Sequence, residues 1–276
     1  MEAAGRQESD YSQVIETLIE TFGEMVSEDV VHAVVENCGG NLNESTNAIM
    51  SLTHDSKTHV LSSNTKHNSN IEQHPNLNMD VINLSCNQIR AFVDGHNSRR
   101  LQLAKGEVSG QPAASDMKFM VWDNELATKA AKWASREQFL HNPDKNIGSG
   151  RFETGENLYS YGTTDSKHKI DIDDSLKSWF DEHQHYTYGP LSISDFDGSS
   201  KYQIGHYTQM VWADTTYIGC AISQYWQANL KKFLIVCNYG PSGNYIGETP
   251  YKIGRNTNNF LKCGTEDCSR PYGDEC

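Results

Sequence analysis

Long apolar runs are absent from this sequence of 276 residues. No stretch approaches the ~18 consecutive apolar residues that a membrane-spanning helix needs, so the sequence predicts a protein that does not span a membrane. Basic residues are also scarce, with 23 Lys and Arg against 36 Asp and Glu and a formal net charge of −13. Because nucleic-acid binding depends on clustered Lys and Arg, nucleic acid is not an expected partner.

Sequence motifs of hydrolytic enzymes are missing as well. The chain contains neither a Gly-x-Ser-x-Gly nucleophile elbow nor a His-Glu-x-x-His motif. It also lacks the paired Cys-x-x-Cys segments that are typical of structural zinc sites. These absences favour a non-enzymatic protein and leave a metal-assisted hydrolase as the weaker alternative.

Charge and cysteine divide the chain in the same way. Residues 1–53 hold ten acidic side chains and only Arg6 as a base, which gives −9 and leaves −4 of the −13 for the other 223 residues. Cys38 stands alone in the acidic part, whereas the later part holds an even set of six: Cys86, Cys220, Cys237, Cys263, Cys268 and Cys276. An even set of cysteines indicates disulfides and an oxidising compartment, with reduced thiols in a cytoplasmic protein as the alternative.

Residues 54–82 are rich in Asn and Ser and predict a disordered linker. The linker contains four histidines without regular spacing, which favours a solvated tether over a metal site: His54, His59, His67 and His74. The first residues of the chain lack the apolar core of a signal peptide, although the disulfides indicate secretion. We therefore expect an extracellular domain in a reading frame joined upstream of about Asn83, with a cytoplasmic protein as the alternative.

Three short segments within residues 1–53 place apolar side chains at helical spacing: Val14, Leu18 and Ile19; Val30, Val31, Val34 and Val35; and Ala48, Ile49 and Leu52. Ser27 is a candidate N-cap, and the Gly39-Gly40 pair predicts a helix end. The segment therefore predicts a small three-helix bundle, whose core is marginal at this length.

This bundle resembles a CUE domain, a ubiquitin-binding module of the UBA-like class, over residues 13–52. Residues 21–23 read Thr-Phe-Gly where the family has Met-Phe-Pro, and Met-Ser-Leu stands near its di-leucine. The resemblance implies ubiquitin as a partner of Phe22, Gly23 and Leu52. A helical bundle that binds no ubiquitin is the alternative.

The part from residue 83 onward alternates helical and strand patterns. Apolar side chains at helical spacing predict helices around residues 89–96, around residues 126–133 after the candidate cap Asp123, and around residues 176–180. Residues 217–223 and 233–239 are apolar and β-branched, and predict two strands joined by a longer polar segment. Helices packed on a sheet give an α+β fold. Because the two strands are adjacent, Cys220 and Cys237 are close enough to form a disulfide.

Four ordered motifs give a sharper indication: His-Asn-Ser-Arg-Arg at 96–100, Gly-Glu-Asn-Leu at 155–158, Gly-His-Tyr-Thr-Gln-Met-Val-Trp at 205–212, and Leu-Ile-Val-Cys-Asn-Tyr-Gly-Pro-Ser-Gly-Asn-Tyr at 234–245. Together they resemble the CAP superfamily, in particular its venom allergen 5 and antigen 5 branch. The resemblance implies a secreted three-layer α-β-α sandwich over residues 83–258, followed by a cysteine-containing tail over residues 259–276.

The resemblance also implies a cleft in which two histidines and two glutamates converge. Carried over by motif, these fall on His141, Glu156, Glu182 and His206. Two neutral imidazoles suit a divalent metal such as Zn²⁺, with the carboxylates orienting the rings. The alternative is a hydrogen-bonded polar cluster that binds metal only in excess. The family further implies a small apolar ligand such as a sterol or lipid, or an extracellular protein partner.

Cysteine pairing departs from the antigen 5 pattern. That pattern places cysteines between residues 133 and 142, and none occurs there, so Cys86 lacks its expected partner and a tail cysteine becomes the candidate. The pairing of Cys86, Cys263, Cys268 and Cys276 stays open from the sequence alone. The tail resembles only the start of a cysteine-rich hinge, so channel blocking is not expected.

Overall fold

A computed structural model describes residues 11–22, 31–32, 35, 45, 81–254, 261–274 and 276. The chain divides into two units, residues 1–74 and residues 75–276. In the first unit, helix α1 spans Ser12–Phe22, and Leu18 is buried in a small cluster with Val31 and Val35. Most other residues of the predicted bundle, and residues 54–80 of the predicted linker, lie outside the described residues. None of the helices in the described ranges is both long and apolar enough to cross a lipid bilayer.

Four α-helices are described in the second unit: α2 (Cys86–Lys105), α3 (Asn124–Ala134), α4 (Ile172–Asp181) and α5 (Gly205–Met210). Ser85 begins α2 with a capping box that it forms with Gln88. The predicted cap of α3 is confirmed, because Asp123 Oδ1 accepts the backbone N–H of Leu126 at 2.9 Å.

The described part of this unit contains one sheet of four strands: β1 (Val121–Trp122), β2 (Gly155–Thr163), β3 (Tyr217–Gln227) and β4 (Leu230–Gly240). Their spatial order is β1-β3-β4-β2. β1 runs parallel to β3, and the other neighbours are antiparallel. The sheet therefore places the beginning of β2 next to the end of β4.

The sequence predicted a longer polar segment between the two central strands, β3 and β4, and this prediction is wrong. β3 and β4 continue to a two-residue turn, Ala228-Asn229, in which both residues have positive φ. Positive φ at both turn positions matches the twist of a tight hairpin. The sequence did not reveal these strand ends because most residues beside the turn are polar: Gln224, Gln227, Lys231 and Lys232.

Helices cover both faces of the sheet, which confirms the predicted three-layer sandwich. On one face, α3 packs on β3 and β4 through a cluster that includes Trp133, Ala221 and Val236. On the other face lies a larger cluster that includes residues of α2, α4 and α5, such as Phe92, Trp179 and Tyr207. Successive residues of β3 and β4 alternate between the two clusters, so both faces of these strands are buried.

The tail is joined to the second unit by backbone hydrogen bonds and a disulfide. Phe119 N–H donates to Lys262 O at 2.8 Å, and Trp122 N–H donates to Pro271 O at 2.8 Å. A disulfide joins Cys86, the first residue of α2, to Cys276. These contacts hold the tail along the outer edge of β1 and protect that edge.

Arg100 on α2 is fully buried and ties several segments together. Its side chain donates five hydrogen bonds of 2.8–3.2 Å to backbone carbonyls: those of Lys118, Met210, Trp212, Ala213 and Thr215. Burial lowers the pKa of Arg100 to about 9. Four of the five carbonyls lie at the end of α5 or just beyond it, so Arg100 fixes the segment that follows this helix.

Candidate functional site

His206 and Glu182 form the first of two histidine–glutamate pairs. His206 is the second residue of α5, and Glu182 directly follows α4. His206 Nδ1 lies 2.6 Å from Glu182 Oε1. Glu182 Oε2 accepts the backbone N–H groups of His206 and Tyr207 at 2.9 and 3.0 Å. The carboxylate therefore satisfies N–H groups that the start of a helix leaves unpaired, and it holds the imidazole at the same time.

His141 and Glu156 form the second pair. His141 lies between α3 and β2, and Glu156 is the second residue of β2. His141 Nδ1 lies 2.9 Å from Glu156 Oε1, and the same oxygen accepts the N–H of Asn142 at 2.9 Å. On the other side of the histidine, the indole N–H of Trp133 donates to Leu140 O at 2.7 Å. This segment is thus attached to both α3 and β2.

Each carboxylate accepts from Nδ1 of its histidine and so selects the tautomer that carries hydrogen on Nδ1. The Nε2 lone pair of each neutral ring is then available to a ligand. The side chain of His141 is 64 % exposed and that of His206 is 17 % exposed, whereas both carboxylates are mostly buried. The arrangement presents two imidazole nitrogens whose orientation is fixed from the protein side.

Neighbouring residues of β2 connect the two pairs. Glu156 holds His141, and the next residue, Asn157, donates from Nδ2 to His206 O at 3.1 Å. Trp179 stacks beside the His206 ring, with the ring centres 6.0 Å apart and the planes inclined by 21°. Its indole N–H donates to Leu158 O at 3.0 Å. Two successive residues at the beginning of β2 therefore contact the two pairs, Glu156 through the His141 ring and Asn157 through the backbone of His206.

The metal ligands that the family resemblance implies are two imidazoles, those of His141 and His206. Within the described ranges, no group of three or more His, Cys, Asp or Glu residues is arranged to hold a metal ion. Zinc sites that bind substrate or water typically use three protein ligands, so two imidazoles leave several coordination positions open. In addition, Glu156 Oε2 is buried, and the part of the chain that the structure describes gives it no hydrogen-bond partner. His141 and His206 are the residues that would hold an ion, with Glu156 and Glu182 behind them.

The two other histidines near Glu182 face different neighbours. His183 packs against Phe180 and Tyr207, while His185 stacks on Tyr202 with the ring centres 3.8 Å apart.

The predicted disulfide between Cys220 and Cys237 is confirmed. The two residues are directly opposite each other in β3 and β4, with Cα atoms 4.1 Å apart. The pairings that the sequence left open are Cys86 with Cys276 and Cys263 with Cys268. A tail cysteine thus takes the place of the partner that Cys86 has in the antigen 5 pattern.

Two of the three residues predicted to bind ubiquitin lie outside the described residues. Phe22 is the last residue of α1, whereas Gly23 and Leu52 lie outside the described residues. The four linker histidines also lie outside them. The ubiquitin interaction stays a prediction from the sequence.

Sequence reasoning missed a buried hydrogen-bonded chain behind the site. His96 Nδ1 donates to Phe92 O at 2.7 Å, and its Nε2 accepts from the Tyr239 hydroxyl at 2.9 Å. Tyr239 in turn accepts from Asn157 Nδ2 at 3.1 Å. Burial lowers the pKa of His96 to about 3, so this histidine is neutral. Both His96 and Tyr239 belong to the motifs quoted above, but no local pattern indicates that they meet.

Comparison with known proteins agrees with this architecture. A family model described as "CAP: Cysteine-rich secretory protein family" matches residues 86–239. Venom allergen 5 of Polistes fuscatus is 37 % identical over 167 residues, which cover 59 % of this chain and 78 % of that protein. The structure of BmVAL-1 is 26 % identical, with a TM-score of 0.52, over 66 % of this chain and 92 % of that chain. The crystal structure of NaASP2 with Zn²⁺ is 30 % identical, with a TM-score of 0.49, over 60 % of this chain and 86 % of that chain.

Proposed function

The chain belongs to the cysteine-rich secretory protein family, also called CAP, and we propose that it is a secreted, non-enzymatic protein whose His/Glu cleft binds a divalent cation such as Zn²⁺. One observation carries this proposal: each histidine is oriented through Nδ1 by a carboxylate, which leaves Nε2 for a metal. Carboxylates in this position orient the ring and raise its basicity toward a metal.

Secretion is supported by the three disulfides of the second unit. Disulfides persist in oxidising compartments and are rare in the cytoplasm. One of them, Cys220–Cys237, is buried between the central strands, where a pair of reduced thiols would serve only as small apolar side chains.

A non-enzymatic role is supported by the surroundings of the two imidazoles. In the described part of the chain, neither His141 nor His206 is hydrogen-bonded through its ring to a hydroxyl or thiol that could act as a nucleophile. A metal-assisted hydrolase, the alternative, would need a base next to a metal-bound water. Glu182 uses both of its oxygens for His206 Nδ1 and two backbone N–H groups, and Glu156 Oε1 serves His141 and Asn142, which leaves only the buried Glu156 Oε2. A bound cation would supply positive charge and open coordination positions to a ligand.

A small apolar ligand is the partner that the surface next to α5 favours, with an extracellular protein as the alternative. Several large apolar side chains are exposed in residues 193–202 and 245–246: Ile193, Phe196, Tyr202, Tyr245 and Ile246. The ring of Phe196 lies against Gly205, the first residue of α5, and Asn244 donates to Gly205 O at 2.9 Å. Exposed apolar residues grouped beside a polar site are typical of a binding surface.

Calorimetric titration of the full-length protein with Zn²⁺ tests the metal site. We expect one-site binding that is lost when His141 and His206 are both changed to alanine. Glu156→Gln and Glu182→Gln should each weaken binding by about 10–100-fold, because they leave the histidines present but less well oriented.

Two controls use histidines outside the site. His185→Ala removes an exposed histidine near Glu182, and the fourfold alanine variant of His54, His59, His67 and His74 removes those of the linker. Both should retain one-site binding. If the linker variant loses it and the His141/His206 variant keeps it, the proposed site is wrong.

A further inference from the structure

Two buried polar side chains lie side by side next to the His141–Glu156 pair. Glu156 on β2 is directly opposite Asn238 on β4. Side chains directly opposite each other in an antiparallel pair lie on the same face, with Cβ atoms about 4.5–5.5 Å apart. Asn238 is 1 % exposed, and the side chain of Glu156 is 9 % exposed. Their neighbours two residues along each strand, Leu158 and Val236, belong to the cluster beneath α3.

Three atoms of this pair have no hydrogen-bond partner among the described residues: Glu156 Oε2, Asn238 Oδ1 and Asn238 Nδ2. Exchanging the oxygen and nitrogen of the Asn238 amide changes nothing, because both ends are unpartnered. Buried polar groups in proteins are nearly always paired, and ordered water supplies the partner where the protein does not.

The His206–Glu182 pair provides a comparison for the hydrogen bonds of Glu156. Glu182 uses both of its oxygens, one for His206 Nδ1 and the other for two backbone N–H groups. Glu156 uses only Oε1, which serves both His141 and Asn142. The two halves of the site therefore differ by one partner at Glu156 Oε2, and the side chain opposite that carboxylate is Asn238.

We infer that Asn238 and Glu156 share a buried water molecule and that Asn238 thereby positions Glu156 toward His141. The water accepts a hydrogen bond from Asn238 Nδ2 and donates one to Glu156 Oε2. Because both oxygens are then hydrogen-bonded, the Glu156 carboxylate stays in the side-chain conformation in which Oε1 faces His141 Nδ1. The change in zinc affinity expected from this inference rests on the proposed function, whereas the buried water molecule and the position of Glu156 do not.

The test changes Asn238 to leucine in the full-length protein and first follows His141 without metal. Nitrogen-15 NMR distinguishes the two imidazole tautomers. We expect the wild-type ring to carry its hydrogen on Nδ1, and the Asn238→Leu variant to shift toward the tautomer with hydrogen on Nε2. We also expect the Kd for Zn²⁺ to rise by about tenfold, the lower end of the effect of groups that support a metal ligand.

Ser223→Ala is the matched control, because the Ser223 hydroxyl on β3 is likewise buried and has no hydrogen-bond partner among the described residues. It should leave the His141 tautomer and the zinc affinity unchanged. An Asn238→Leu variant with the wild-type tautomer would overturn the inference. If the wild-type protein does not bind Zn²⁺ at all, the proposed function fails, and the tautomer comparison still decides the role of Asn238.

The wild-type protein offers a second test that does not depend on a folded variant. A high-resolution crystal structure should show a water molecule within ~3.2 Å of both Asn238 Nδ2 and Glu156 Oε2. A map without water between these two atoms would overturn the inference.

Discussion

Tyr239 on β4 donates its hydroxyl hydrogen to Nε2 of His96 on α2 across 2.9 Å, in a fully buried contact between the sheet and its helical layer. The direction of the bond is fixed, because His96 Nδ1 already donates to Phe92 O. Asn157 then links Tyr239 to the backbone of His206. The contact thus connects the core to the candidate metal site.

The first prediction concerns acid stability. Burial lowers the pKa of His96 to about 3, whereas the unfolded chain takes up this proton near the ordinary value of 6.5. Below that value the unfolded state binds more protons at this residue than the folded state, so the histidine loses its contribution to stability as the pH falls from about 6.5 toward 3. At about pH 4.5 the loss should be on the order of 2–3 kcal/mol.

Denaturant unfolding of the wild type and of His96→Gln at two pH values isolates this effect, because the other titrating groups are common to both proteins. The free-energy difference between them should shrink as the pH falls from about 7 to about 4.5. A difference that stays constant over this range would show that His96 is not held neutral.

The second prediction concerns Arg100. Lysine cannot reproduce its fork of donors, so Arg100→Lys leaves several buried carbonyls unpaired, and we expect a loss of about 3–5 kcal/mol in the free energy of unfolding. Arg99→Lys is the control, since Arg99 forms an ion pair with the exposed Asp173 and should cost less than about 1 kcal/mol. Equal losses in the two variants would contradict the role given to Arg100.

The third prediction concerns the disulfide between β3 and β4. Replacing Cys220 and Cys237 with alanine should lower the free energy of unfolding by about 2–4 kcal/mol, because it removes a cross-link between residues 17 apart in sequence. Replacing Cys263 and Cys268, which are only 5 apart and lie at the surface, should cost less. The reverse order in denaturant unfolding would contradict this account.

The fourth prediction concerns Trp133. Trp133→Phe keeps an aromatic ring at this position of α3 but removes the N–H that donates to Leu140 O. Because this bond holds the residue before His141, we expect a several-fold weaker affinity for Zn²⁺, together with the loss of stability that follows when a buried ring becomes smaller. Calorimetry and thermal unfolding of the same sample separate the two effects. Unchanged affinity would show that the segment is held without this bond.

Several elements could be predicted from the sequence because their signals are local. The strands that carry Cys220 and Cys237 are continuous apolar runs, since both of their faces are buried. Strand β2 gave no comparable signal, because its residues 160–162 are exposed and Gly155, Asn157 and Gly162 are poor strand formers. Its position follows from pairing with β4 rather than from its own composition.

The site itself depends on contacts that no local pattern reveals. His141 and Glu156 are fifteen residues apart, and Glu182 and His206 are twenty-four apart, so only the resemblance to a family brought them together. The partner of Cys86 is 190 residues away and departs from that family's pattern. Asn238 lay within a quoted motif, but its place beside Glu156 required the register of β2 against β4.

The central claim is that His141 and His206 present their Nε2 atoms to one cation. Anomalous X-ray scattering at the zinc absorption edge, from crystals of the full-length protein soaked in Zn²⁺, tests it most directly. The account predicts a single strong peak about 2.0–2.1 Å from Nε2 of both His141 and His206. A zinc peak within bonding distance of only one of these histidines would contradict it. So would a zinc peak elsewhere with neither histidine coordinated.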